Sequence, residues 1–91
     1  MTYPAAYRRA QLALAELKAA VLEILVEEHS GLTNADIGRA LGIYSGHIRH
    51  EGHISRTILE MLRDDGTAEQ DAETKRWRLR RDAAGHVSTS E

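Results

Sequence analysis

The sequence contains no cysteine, so neither disulfide bridges nor a thiolate zinc site can supplement its core. Side-chain packing alone must hold the fold. No apolar run approaches the roughly 18 residues of a membrane span, and the opening MTYPAAYRRAQ has no continuous apolar stretch behind a basic one. A cytoplasmic location is the default expectation, with no membrane partner. Signatures of catalysis are also missing: there is no P-loop, HExxH, nucleophile elbow or paired-carboxylate motif, and 91 residues leave little room for a substrate pocket. The expectation is a protein that is not an enzyme and uses no cofactor.

Net charge is small. Twelve Lys and Arg against fourteen Asp and Glu give −2, without the cationic excess usual in nucleic-acid binders. The distribution is uneven, however. Residues 64–73, DDGTAEQDAE, carry no cation, whereas residues 74–81, TKRWRLRR, hold Lys75, Arg76, Arg78, Arg80 and Arg81 with no carboxylate. A hydrophobic share of 42% with 29% charged residues is the profile of a folded chain rather than a disordered one. Its length admits one small core.

Residues 5–28 read as a long helix, rich in Ala, Leu and Glu and free of internal Gly or Pro. Leu14, Leu17, Val21, Ile24 and Leu25 form its core face, opposite Glu16, Glu23 and Glu27. A second apolar stripe, Leu12, Ala15, Ala19, Leu22 and Val26, flanks the first. Either the rest of the chain buries this stripe or it is a homodimer interface, and Tyr3 and Tyr7 can fold onto it in both cases. Gly31 stops the helix by taking a left-handed conformation. Thr33 with Asp36 then forms a capping box, with Leu32 and Ile37 at the staple positions, so a short helix spans 34–41 and ends at Gly42. A third helix spans 53–65, with Ile54, Ile58, Leu59, Met61 and Leu62 on one face. A hairpin follows, with strands at 67–70 and 75–81, in which Trp77 and Leu79 point one way and Arg76, Arg78 and Arg80 the other. Residues 82–91, small and polar, form a tail expected to be disordered.

The order of these elements, with the segments GLTNADIGRALGI, ISRTILEMLRDDGTAEQD and KRWRLR, resembles the winged helix-turn-helix family over residues 14–81. Residues 1–13 then form an N-terminal extension of the first helix. The expected fold class is mainly α with a small β-hairpin wing on a three-helix core. The resemblance implies sequence-specific binding of duplex DNA and a role in transcriptional regulation, with the third helix in the major groove and the wing along the backbone.

The residues are consistent with that implication. His53, Arg56, Thr57, Glu60 and Arg63 lie off the apolar face of the third helix, where they would meet base edges. Arg56 is the best candidate for a bidentate contact with guanine. Lys75, Arg76, Arg78 and Arg80 are phosphate candidates. The plain alternatives are a solvated helix face and a charged edge strand that blocks aggregation. Two departures from the family pattern stand out: the connection 43–52 exceeds a three- to four-residue turn, and Asp71 and Glu73 at the wing tip would repel phosphate. The corresponding alternative function is a protein-interaction module of the same fold, or an accessory subunit of a DNA-processing or restriction assembly.

The long connection carries His47 and His50, and His53 opens the third helix just after it. With no Cys and no convergent fourth ligand, their spacing falls short of a metal site. The expected arrangement is an enlarged turn with Ile48 in the core and Tyr44, His47, Arg49, His50 and His53 exposed, where His47, Arg49 and His50 join the phosphate candidates.

Overall fold

The computed structural model describes residues 2–44 and 52–80. Three helices, α1 (Pro4–Glu27), α2 (Asn34–Leu41) and α3 (His53–Asp65), precede an antiparallel hairpin of β1 (Ala68–Gln70) and β2 (Trp77–Leu79). The chain is therefore mainly helical with a small two-stranded sheet.

Helix α1 starts with Pro4, whose fixed φ and missing N–H suit a first helical position. Val21 and Leu25 are buried, with Leu14, Leu17 and Ile24 packed beside them. Each member of the second stripe from Leu12 to Leu22 lies two residues before a core-facing one (12/14, 15/17, 19/21, 22/24), about 200° around the helix. The stripe therefore turns away from the core except at Leu22, which packs on its margin. Leu12 is 62% exposed and Val26 52%, Ala15 and Ala19 are exposed, and only Leu22 is half-buried. The described residues do not bury this stripe, and Tyr3 and Tyr7 stand exposed rather than folded over it.

The start of α2 is set by chemistry legible in its sequence. Thr33 Oγ1 accepts the Asp36 N–H at 3.1 Å, and the Asp36 carboxylate accepts the Thr33 N–H at 3.3 Å. This reciprocal pair satisfies two helix-end donors. At Gly38 the crossing with α3 is tight, because a Cβ there would lie 2.8 Å from Tyr44 Cβ and 3.0 Å from Ser55 Oγ. Tyr44 is half-buried against this crossing rather than exposed, and its ring lies 4.6 Å from the Arg39 guanidinium.

In α3 the inward positions are Ser55, Ile58, Leu59 and Leu62. Their i, i+3, i+4, i+7 spacing defines the buried face. Ile54, expected on that face, sits one residue off it and is 43% exposed, while Met61 is half-buried at its margin. Ser55, a polar residue, takes the buried place.

The hairpin pairs Ala68 with Leu79, Glu69 with Arg78 and Gln70 with Trp77. Leu32 bridges Trp77 from the other side, through Leu32 N–H to Trp77 O at 2.9 Å and Trp77 N–H to Leu32 O at 2.7 Å. Thus β2 runs between β1 and the α1–α2 connection. Both strands are shorter than the alternation predicts: Lys75 has φ +66° and belongs to the turn, and Arg76 precedes β2. One core joins every element: Val21, Leu25, Ile37, Ile58, Leu59, Leu62, Ala68 and Trp77. A fully buried Leu or Ile contributes about 1.5–3 kcal/mol, against about 0–1 kcal/mol for a surface ion pair such as Lys18–Asp65 at 3.1 Å. This cluster governs stability.

Candidate nucleic-acid interface

Burying Ser55, Ile58, Leu59 and Leu62 forces the rest of α3 outward, and His53, Arg56, Thr57, Glu60 and Arg63 are all exposed. Arg56, Glu60 and Arg63 border an open groove of about 420 Å³ whose other walls include Asn34 of α2 and Gln70 and Lys75 of the hairpin. His53 and Thr57 share the helix face but not the groove. The charged side chains lining it are three cations and one carboxylate, in a chain whose net charge is −2. Positive charge is locally concentrated. The groove also reaches the first turn of α2, Asn34 and Ala35, the positive end of that helix.

The four basic residues expected to act alike on the hairpin are placed differently. Lys75 lines the groove from the turn. Arg76 donates from Nη1 to the Gly31 carbonyl at 3.0 Å, bracing the hairpin against the α1–α2 connection. Arg78 donates from Nε to Glu69 at 3.0 Å, in an exposed cross-strand pair that offsets its charge. Arg80 carries the ladder one bond past β2, its N–H reaching Thr67 O at 2.9 Å. Arg63 is also partly engaged, its guanidinium 5.9 Å from the Trp77 ring centroid. His47, Arg49, His50 and Ile48 lie outside the described residues, as do Arg81 and the tail 82–91.

Of the two carboxylates in the hairpin turn, Glu73 is exposed and Asp71 bonds to its own backbone. Asp71 Oδ2 accepts the N–H of Thr74 at 2.7 Å and of Glu73 at 3.0 Å, closing the turn as Asx side chains commonly do. The Thr74 bonds, followed by the Glu73 bond and nearby Arg78, hold its pKa below the ordinary carboxylate value. Asp36 is lowered likewise, first by the Thr33 hydroxyl, then by the Thr33 backbone, with Arg76 and Arg39 adding smaller electrostatic contributions.

Sequence patterning missed the pieces that join the elements. Asn34, Tyr44 and Gln70 border the groove, and Ser55 ties α3 to α2 through Asn34. Ser55 stands at i, i+3, i+4, i+7 spacing with Ile58, Leu59 and Leu62, a spacing that fits a buried face without requiring it. Among the described residues no cluster of His, Cys, Asp and Glu is arranged to hold a metal, and no helix is long and apolar enough to cross a membrane. Comparison with protein-family models, curated proteins and solved structures returns no match.

Proposed function

We propose that the chain is a winged helix-turn-helix module that binds duplex DNA and acts in transcriptional regulation, α3 reading the major groove while the hairpin follows the backbone. The observation that carries this reading is the groove shared by Arg56 and Arg63 of α3, Lys75 of the hairpin and the first turn of α2. Three converging cations beside a helix N-terminus suit phosphate oxygens. Arg56, in the first turn of α3, is the base-reading candidate, because the N-terminal residues of a recognition helix reach base edges. The Asp71 carboxylate is hydrogen-bonded within the turn but keeps its charge, and Glu73 is exposed, so both oppose phosphate close to the hairpin tip and the contact is assigned to the groove instead.

Fluorescence anisotropy with a pool of random duplexes, from about 50 to 200 mM salt, tests the proposal. Several phosphate contacts would make affinity fall by orders of magnitude across that range, each adding about 0.9 to the log–log slope. Arg56→Ala should then cost on the order of 1–3 kcal/mol at one base position of the selected site. Absence of binding at the low-salt end would replace this reading with the protein-interaction one.

A further inference from the structure

We infer that α1 is the interface of a homodimer, in which it lies antiparallel to α1 of a second copy. The proposal does not depend on DNA binding.

The uncovered stripe has the geometry such a pairing needs. Leu12, Ala15, Ala19, Leu22 and Val26 follow the alternating three- and four-residue spacing of a coiled-coil seam, with Leu12, Ala15, Ala19 and Val26 exposed and Leu22 shared with the margin of its own core. The two domain bodies would therefore sit outside the pair. Four of its members are also a palindrome about position 17: Ala15 and Ala19 stand two residues to either side and Leu12 and Leu22 five, while Val26 has Arg8 as its counterpart and ends the symmetry. Antiparallel pairing centred there sets Leu12 against the second copy's Leu22 and Ala15 against its Ala19. A two-fold interface demands this self-complementarity. The small residues at its middle let the helix axes approach toward the short end of the usual 8–10 Å range.

Charge selects the direction. On and beside the seam, α1 carries Arg8 and Arg9 in its first half and Glu23 and Glu27 in its second. A parallel in-register pair would set Arg8 against the second copy's Arg8 in the seam. The antiparallel pair sets Arg9 beside the second copy's Glu23 and brings Arg8 near its Glu27, twice over by symmetry. Glu16 meets its own copy near the axis, the one like-charge meeting along this edge.

The shape of the protein adds a separate reason. Residues 4–13, nearly three turns of α1, are exposed throughout. They extend a helix nucleated by its packed half, so they need no new nucleus, but no tertiary packing among the described residues stabilises them. In the pair those turns lie along the C-terminal half of the second copy's α1.

Sedimentation equilibrium of the full chain without DNA provides the first test. The expected species has twice the 10.1 kDa chain mass. Leu12→Glu, at a position remote from the core, should give a monomer with unchanged circular dichroism at the same concentration. Leu22→Glu is a poorer probe because Leu22 packs partly on the core. The absence of native cysteine permits a register test. L12C/L22C should oxidise to a covalent dimer, whereas L12C alone should not, because its two sulfurs would be separated by ten residues, about 15 Å along the helix. A wild-type chain that stays monomeric at high micromolar concentration overturns the proposal, as does an equally tight Leu12→Glu dimer. Cross-linking by L12C alone, or none by L12C/L22C, overturns the antiparallel arrangement.

Discussion

Ser55, wholly buried in the first turn of α3, donates its hydroxyl to Asn34 Oδ1 in the first turn of α2 at 2.7 Å. The hydroxyl has one hydrogen, and its distance to the Gly52 carbonyl is longer, 3.2 Å, so the Asn34 bond is the principal one. Asn34 returns an N–H to that same Gly52 carbonyl at 3.2 Å. The three groups thus satisfy one another and fix the two helix N-termini that border the groove. No described buried side-chain polar atom lacks a partner.

Removing the donor should therefore be costly despite the better helix propensity of alanine. Ser55→Ala leaves Asn34 Oδ1 without its partner, and a loss on the order of 1 kcal/mol in urea unfolding is expected. The double-mutant cycle with Asn34→Ala should return a coupling of about 0.5 kcal/mol or more. Strict additivity would mean that the two helices are fixed by apolar packing alone.

This network also marks where sequence reading stops. Local chemistry is legible: the Thr33–Asp36 box, the limits of α2 and α3 and the inward Trp77 follow from capping and periodicity. Burial of Ser55 is not legible, because a serine between Ile54 and Arg56 matches a solvated position as well as a buried one. Only the partner 21 residues away, Asn34, decides it. The Leu32–Trp77 bridge and the Arg76–Gly31 bond are likewise contacts across the chain. The hairpin arginines looked equivalent because alternation specifies a face and says nothing of which carboxylate or carbonyl that face meets.

Acid should weaken the fold in part through Asp36 and Asp71. Both carboxyls lie below their ordinary value of 3.8 in the folded chain, so near that pH the unfolded chain binds more protons than the folded one. Their contribution is complete above the unfolded pKa and is lost as pH falls through the lowered folded values. A series of melting curves from about pH 6 to 2 should decline along its acid limb. Asp71→Asn should flatten that decline, and an identical slope in the variant would remove Asp71 from the account.

Lys75 separates stability from the proposed function. It is the described non-glycine residue with positive φ, +66°, a conformation that disfavours residues with a Cβ by roughly 1–2 kcal/mol. Glycine relieves this but adds unfolded-state entropy, so Lys75→Gly should be neutral or up to about 1 kcal/mol more stable. The same change removes a cation from the groove and should lower the salt slope of duplex binding by about 0.9. A variant that is firmer yet binds more weakly would identify Lys75 as a contact residue. Unaltered affinity would place the nucleic acid elsewhere.

The Arg78–Glu69 pair gives the sharpest test of the hairpin. Both side chains are substantially exposed, 45% and 38%, so the pair itself stabilises the fold by about 0–1 kcal/mol. Its larger effect is to offset a cation on the strand proposed to follow the DNA backbone. Glu69→Gln should leave stability nearly intact, release Arg78 for phosphate and steepen the salt slope by as much as 0.9. Glu28→Gln makes the same change in net charge away from the hairpin and serves as the control. In the Glu69→Gln background, Arg78→Ala should reverse the gain, and it should cost more affinity there than in the wild-type chain. If Glu69→Gln and Glu28→Gln raise affinity equally, the effect is one of overall charge, and β2 does not lie against the nucleic acid.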